Sequence, residues 1–297
     1  MSKTRKIVLG GLAGYVLLVI LAVAFFGSAG RNDEFKPQNE FKLDTWISLP
    51  GPFDINKAVL YLLIAAFLTV WTMVYVARRM QARTNRVQTA VETLFGLMRD
   101  NITRGNMDDR MAAKWFPFIG ALFLFIWYSN LLGFIPLPTN SQEKFNLFGA
   151  NIPAFAIYAA TANVSTPLIF SLMVFGFYTA EGIRAKGVGG YLKALLPAGV
   201  TGGMVLLIFP LEVLSNLMRI ISLSVRLFAN MLAGHLIILF MSGGLAILLG
   251  VVAVGIVALP LGFAIYVFEV GLVATLQAFI FATLSAIYLG GSVAESH

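Results

Sequence analysis

The sequence predicts an all-α polytopic membrane protein, and three observations carry that prediction. Of its 297 residues 59% are hydrophobic and only 12% charged, about half the charged share of a soluble domain. Apolar runs such as Ala58–Ala77 and Trp115–Leu137 recur, at the length of about 20 residues that crosses a hydrocarbon core. The cations, finally, gather in alternate polar segments. Lys3, Arg5 and Lys6 precede the first apolar run, eight cations against four acids lie between Arg78 and Lys114, and Arg184, Lys186 and Lys193 form a third cluster. The segment Arg31–Lys57 instead balances four cations with five acids. That alternation places the N-terminus, residues 81–105 and the C-terminus on the cytoplasmic side. It also explains the net charge of +7 without any nucleic-acid partner.

The elements follow in order. Residues 1–29 hold an apolar run, 7–27, which reads either as a retained membrane helix or as a signal ending at Gly27-Ser28-Ala29. Residues 30–57 are an outer polar segment, and 58–297 the membrane domain. Ala58–Ala77 returns inward and stops at Arg78-Arg79. In Gln81–Arg104, residues Val87, Val91, Leu94, Met98 and Ile102 recur at helical spacing among polar ones, as in a helix lying in the interface. Trp115–Leu137 crosses outward, Thr139–Asn151 forms an outer loop, and a span from about Pro153 to Glu181 crosses back past the polar patch Thr161–Pro167. Tyr191–Phe240 and Leu245–Leu289 are each about twice too long for one upright span. Each is two short spans, or one bent or inclined helix, with Gly199, Gly202, Gly203, Pro210, Gly250, Gly255, Pro260 and Gly262 as places to bend. Cysteine is absent, which removes disulfides, thiolate metal sites and cysteine nucleophiles. Gly187–Gly190 reads as a turn, since no strand precedes it as a nucleotide-binding loop requires.

Within the apolar sequence of the last hundred residues stand four charges, Glu212, Arg219, Arg226 and Glu269, together with His235. A charge at the centre of a membrane helix costs roughly 2.5–3.5 kcal/mol on insertion scales, so each must meet a partner or water. Glu212, Arg219 and Arg226 recur every seven residues and share one helical stripe. Ser222 and Asn230 extend it on either side of Arg226. His235 falls about half a turn away from Arg226 around the helix. Polar groups at two faces and two depths suit two separate aqueous paths better than one pore. Bland readings stand beside these: Arg219 snorkelling or pairing with Glu212, and His235 as a satisfied core histidine. Arg226 is the strongest functional candidate, because arginine stays protonated and serves as a fixed cation, never as a carrier.

The stretch PLEVLSNLMRIISLSVRLFANMLAGHL, Pro210–Leu236, closely resembles subunit a of F-type ATP synthases. TLQAFIFATLSAIYL (Thr275–Leu289), WYSNLLGFIPLP around Asn130 and KGVGGY from Lys186 fit the same family in order, so the resemblance covers roughly residues 55–291. The architecture expected with it is two long, inclined C-terminal helices forming a hairpin over 191–291. The resemblance implies a stator subunit beside a ring of c subunits with buried carboxylates, b-type peripheral stalk subunits and the remainder of the synthase as partners, in a bacterial inner membrane. It implies no cofactor or metal and no ATP chemistry on this chain. By it Arg226 faces the ring, Gln277 and Asn230 lie near that arginine, His235 and Glu269 make a His–Glu pair, and Glu212 belongs to the cytoplasmic half-channel. Arg219, Asn130 and Asn163 are accessory polar positions. Three departures stand out. Glu269 precedes Gln277 by eight residues where seven are expected, Ile220 follows Arg219 where the family often has proline, and Asn163 and Ser165 replace an acid and an amide. Rival readings are a proton-coupled secondary transporter, which predicts related halves that this sequence lacks, a structural scaffold, a simple channel, and a sodium-translocating version of the same subunit.

Overall fold

A computed structural model describes residues 43, 45–47, 55–79, 86–147, 150–197, 202–241 and 252–293, with scattered helical positions between 10 and 24. Most of the 7–27 run and of the outer segment, positions 81–85, the link between the two long helices and the C-terminal tail lie outside the described residues. Helices dominate: α1 (Lys57–Arg79), α2 (Arg86–Gly96, continued as a π-helix through Leu97–Arg104), α3 (Asp109–Gly133), α4 (Ser165–Ala194), α5 (Met204–Leu239), α6 (Val252–Phe268) and α7 (Ala274–Val293). A π-helical turn, Glu269–Val273, joins α6 to α7. Among the described residues five helical stretches are long and apolar enough to cross a membrane. The all-α polytopic class is therefore observed.

The long C-terminal stretches resolve into single helices. Tyr191 belongs to the end of α4, Gly202 at φ 67° marks the turn, and α5 then runs 36 residues with Pro210 inside it. At about 1.5 Å per residue α5 is about 54 Å long, so it lies inclined in a core of about 30 Å. The expected start of the fourth span at Pro153 is corrected. Residues Leu137–Leu147 (β3) and Ala150–Ala156 (β4) pair as an antiparallel hairpin, a 3-10 turn follows at Ala160–Ala162, and α4 opens only at Ser165. The cause is local: Pro167 fits the first helical turn, where no N–H is required, and Asn163 Oδ1 accepts the Ser165 N–H at 3.0 Å. At its other end α4 passes Glu181 to Ala194, broken at Gly187, whose φ of 72° favours glycine. A shorter hairpin, β1 (Thr45–Ile47) with β2 (Ile55–Asn56), precedes α1.

Lipid supplies no hydrophobic drive for helices to associate, so close packing has to. Ala274, Ala278, Ala282 and Ala286, spaced four apart on α7, are all fully buried. This seam brings α7 against α3 and α4, with Phe123, Ile126, Phe170 and Phe281 filling the same core. Met98 and Ile102 of the α2 extension are buried in it, as their spacing predicts. One ion pair links α3 to α4, where Lys114 Nζ donates to Glu181 Oε1, and Arg184 approaches the other oxygen at 4.0 Å.

Candidate functional site

Arg226 sits in the middle of α5, exposed, with exposed Ser222 and Asn230 one turn to either side. Its neighbours on that face, Ile221 and Val225, are exposed too. The stripe of Glu212, Arg219 and Arg226 lies on one unbroken helix, as the seven-residue spacing predicts. Among the described residues no hydrogen bond or ion pair holds the Arg226 guanidinium. The fixed cation therefore points out of the helical bundle. Gln277 is buried on α7.

Nine residues on, about 14 Å along the helix, His235 is buried at 2% exposure. Its Nδ1 lies 2.8 Å from the Met231 carbonyl and its Nε2 lies 2.9 Å from the Gly133 carbonyl, while its ring stacks on Phe134. Carbonyls only accept, so a neutral imidazole donates to one of them and a protonated imidazole to both. The seat thus accommodates a second ring proton without rearrangement. Glu269 is buried beside it. A Cβ on Gly234 would come within 2.6 Å of the Glu269 Oε2, so the missing side chain of Gly234 makes room for the carboxylate. That oxygen is buried with no hydrogen-bond partner. His235 and the Glu269 carboxylate thus share a neighbourhood through Gly234, and the ring nitrogens of His235 face backbone carbonyls.

Polar groups from α3 and the 3-10 turn complete this end. Asn130 is fully buried, accepts the Thr161 hydroxyl at 2.8 Å and donates to the Ala274 carbonyl at 3.3 Å. Tyr266 donates to the Phe134 carbonyl at 2.9 Å. Asn163, directly after the 3-10 turn, holds the start of α4. Lys57, the last residue of the outer polar segment read in the sequence, is 2% exposed, its ammonium 4.7 Å from the Tyr158 ring centre. Burial pushes the Tyr158 phenol up to about 12, so the ring faces that cation as a neutral group.

Toward the other end of α5, a cavity of about 350 Å³ opens between α4, α5 and α7. Glu212, Asn216, Arg219, Lys186, Tyr178 and Tyr288 line it. Tyr178 donates to Asn216 Oδ1 at 2.7 Å, and the Arg219 guanidinium sits 5.2 Å from the Tyr288 ring centre. Arg219 and Glu212 share the cavity without pairing. Fourteen residues separate Glu212 from Arg226, about 21 Å of helix. Two polar regions therefore lie at opposite ends of α5 with Arg226 between them.

Sequence reasoning missed Asn216, Tyr266, Tyr178 and Lys57, and it named Thr161 only as part of a polar patch. Asn216 was findable, lying four residues after Glu212 and three before Arg219 on the same stripe. Thr161, Tyr178 and Lys57 are brought in by packing between helices distant in sequence, which no local spacing announces.

The residues 59–290 match the family model described as ATP synthase A chain. The chain belongs to that family. It is 33% identical over 258 residues to ATP synthase subunit a of Myxococcus xanthus, covering 84% of this chain and 78% of that one. The subunit a of Chlorobium phaeobacteroides is 32% identical over 272 residues, 89% of this chain and 73% of its own. That of Pseudarthrobacter chlorophenolicus is 29% identical over 278 residues, 91% and 97% respectively. The family span takes in every residue of both polar regions described above except Lys57. The chain is a multi-pass membrane component of an ATP synthase.

Proposed function

We propose that this A chain is the fixed side of a rotary proton path, working against a ring of c subunits that each carry a membrane-buried carboxylate. The observation that carries this reading is Arg226, exposed on the outside of the bundle and without a partner among the described residues, between a polar region at each end of α5. A permanent cation in hydrocarbon is too costly to leave alone, so this face calls for an acid from another chain. A neutral ring carboxyl can travel through lipid; beside Arg226 its charged form is favoured and it gives up the proton. Asn130, His235, Glu269 and Tyr266 line the outer half-channel, and the cavity with Glu212, Asn216 and Arg219 is the cytoplasmic one. Positive charge at Arg226 repels a proton passing directly between the two. Ser222, Asn230 and Gln277 supply hydrogen-bonding capacity around the guanidinium.

The remaining partners are b-type stalk subunits, the rest of the synthase and membrane lipids. ATP chemistry takes place elsewhere in the complex. The membrane is a bacterial inner membrane, supported by the bacterial relatives, and α2 with its π extension lies along the cytoplasmic interface. The test uses complexes of equal subunit content in vesicles. Arg226→Ala abolishes ATP-driven acidification, and Arg226→Lys loses at least tenfold, because lysine lacks the bidentate fork and sheds its proton when desolvated. Normal pumping by Arg226→Ala overturns the reading. Acidification that persists without sodium assigns the proton, and a strict sodium requirement assigns the sodium-translocating version.

A further inference from the structure

The eight-residue spacing between Glu269 and Gln277 has a structural answer. In an unbroken α-helix eight residues overshoot two turns by about 80°, whereas seven fall short by only about 20°. Both side chains are nevertheless buried. The difference is taken up by the π turn Glu269–Val273, in which the Ala274 N–H reaches back five residues to the Glu269 carbonyl. One extra residue in that turn returns Glu269 to the inward face, against Gly234. Such single-turn widenings concentrate at functional positions.

The turn is also held from outside. Thr275 donates its hydroxyl to the Gly271 carbonyl at 3.1 Å, and the Thr275 hydroxyl oxygen in turn accepts the Trp127 indole N–H at 3.0 Å. Three residues along α3, Asn130 donates to the Ala274 carbonyl. Trp127 and Asn130 thus grip both the π turn and the first residues of α7. We propose that the π turn is a register device, clamped by the Trp127–Thr275–Gly271 chain, which positions the Glu269 carboxylate beside Gly234 while Gln277 keeps its place. Trp127 and Thr275 are positioning residues. The proposal rests on the outer-path reading of Glu269 for its effect on pumping, but not for its geometry.

Deleting Gly271, whose Cβ position has open space around it, turns the Ala274-to-Glu269 bond into an ordinary α-helical one and leaves a seven-residue spacing. Three measurements on the assembled complex test the idea. Cysteines at Gly234→Cys and Glu269→Cys cross-link in the parent and after deletion of Gly271, but not after deletion of both Gly271 and Leu272, which swings the face by about 100° more. ATP-driven acidification keeps at least half its rate in the single deletion and falls at least tenfold in the double one. Thr275→Val slows pumping about fivefold, and Thr275→Ser restores it. Loss of the cross-link in the single deletion, or parental pumping by the double deletion or by Thr275→Val, overturns the device. Glu269→Ala separates the two ideas: normal pumping there removes the outer-path reading, while the cross-link still judges the register.

Discussion

Gly234 shows how much a single position decides. Its missing Cβ is the space in which the Glu269 carboxylate rests, with contacts that a methyl would bring to 2.6 and 2.7 Å. Gly234→Ala therefore pushes the carboxylate out of its seat, and vesicle acidification is expected to fall about tenfold at unchanged subunit content. Adding Glu269→Asp, shorter by one methylene, should recover part of the rate; full activity of Gly234→Ala alone would contradict the packing. His235 differs from Glu269 in what surrounds it. Two carbonyls bracket its ring, so His235→Phe, which keeps the stack on Phe134 but offers no nitrogen, should slow proton entry about as severely as Glu269→Ala. Parental pumping by both variants would remove them from the path.

At the scale of elements, α7 is tied to α3 by its buried alanine seam, by the Asn130 amide and by the Trp127 indole. Ala282 lies in the centre of the seam with no exposure. Ala282→Leu forces the helices apart at a cost of about 1–3 kcal/mol, read as less subunit recovered in the membrane and a lower temperature of complex dissociation. Asn130→Ala strands the Thr161 hydroxyl, a buried group whose lost partner costs about 1–3 kcal/mol. It should both lower that temperature and slow pumping, whereas Ala282→Leu in complexes that do assemble should leave the pH dependence of pumping unchanged. An Asn130→Ala complex as stable as the parent would show that the amide carries no packing role.

For the whole molecule the basic clusters make a prediction about sidedness. Gln88 lies on α2, and Asn151 is the second residue of β4 in the hairpin after α3. With no native cysteine to remove, Gln88→Cys is expected to react only with a reagent admitted to the cytoplasm and Asn151→Cys only from outside. Outside labelling at position 88 would invert the proposed path, because the cavity at Glu212 would then face outward. The same topology puts the Lys114–Glu181–Arg184 cluster on the cytoplasmic side, where exposed cations agree with the charge rule.

Legibility divided along physical lines. Membrane class, helical stripe and the five titratable groups were readable because each depends on local rules: run length against bilayer thickness, a period of 3.6 residues, and the cost of charge in hydrocarbon. Arg226 was readable for the same reason, since an arginine in apolar sequence needs explanation wherever it points. Whether Tyr191–Phe240 was one span or two was not readable, because hydropathy measures length and not inclination; Gly202 and the packing of α5 decided it. The hairpin β3–β4 was hidden because an apolar segment such as Pro153–Ala162 satisfies either a helix or a strand pairing, and only its partner strand and Pro167 settle which. The eight-residue spacing stood out in the sequence as a departure from the family pattern, and in the structure it contains a π turn. What determines that turn is a tryptophan and an asparagine more than a hundred residues away, whose hydrogen bonds exist only once α3 and α7 have packed.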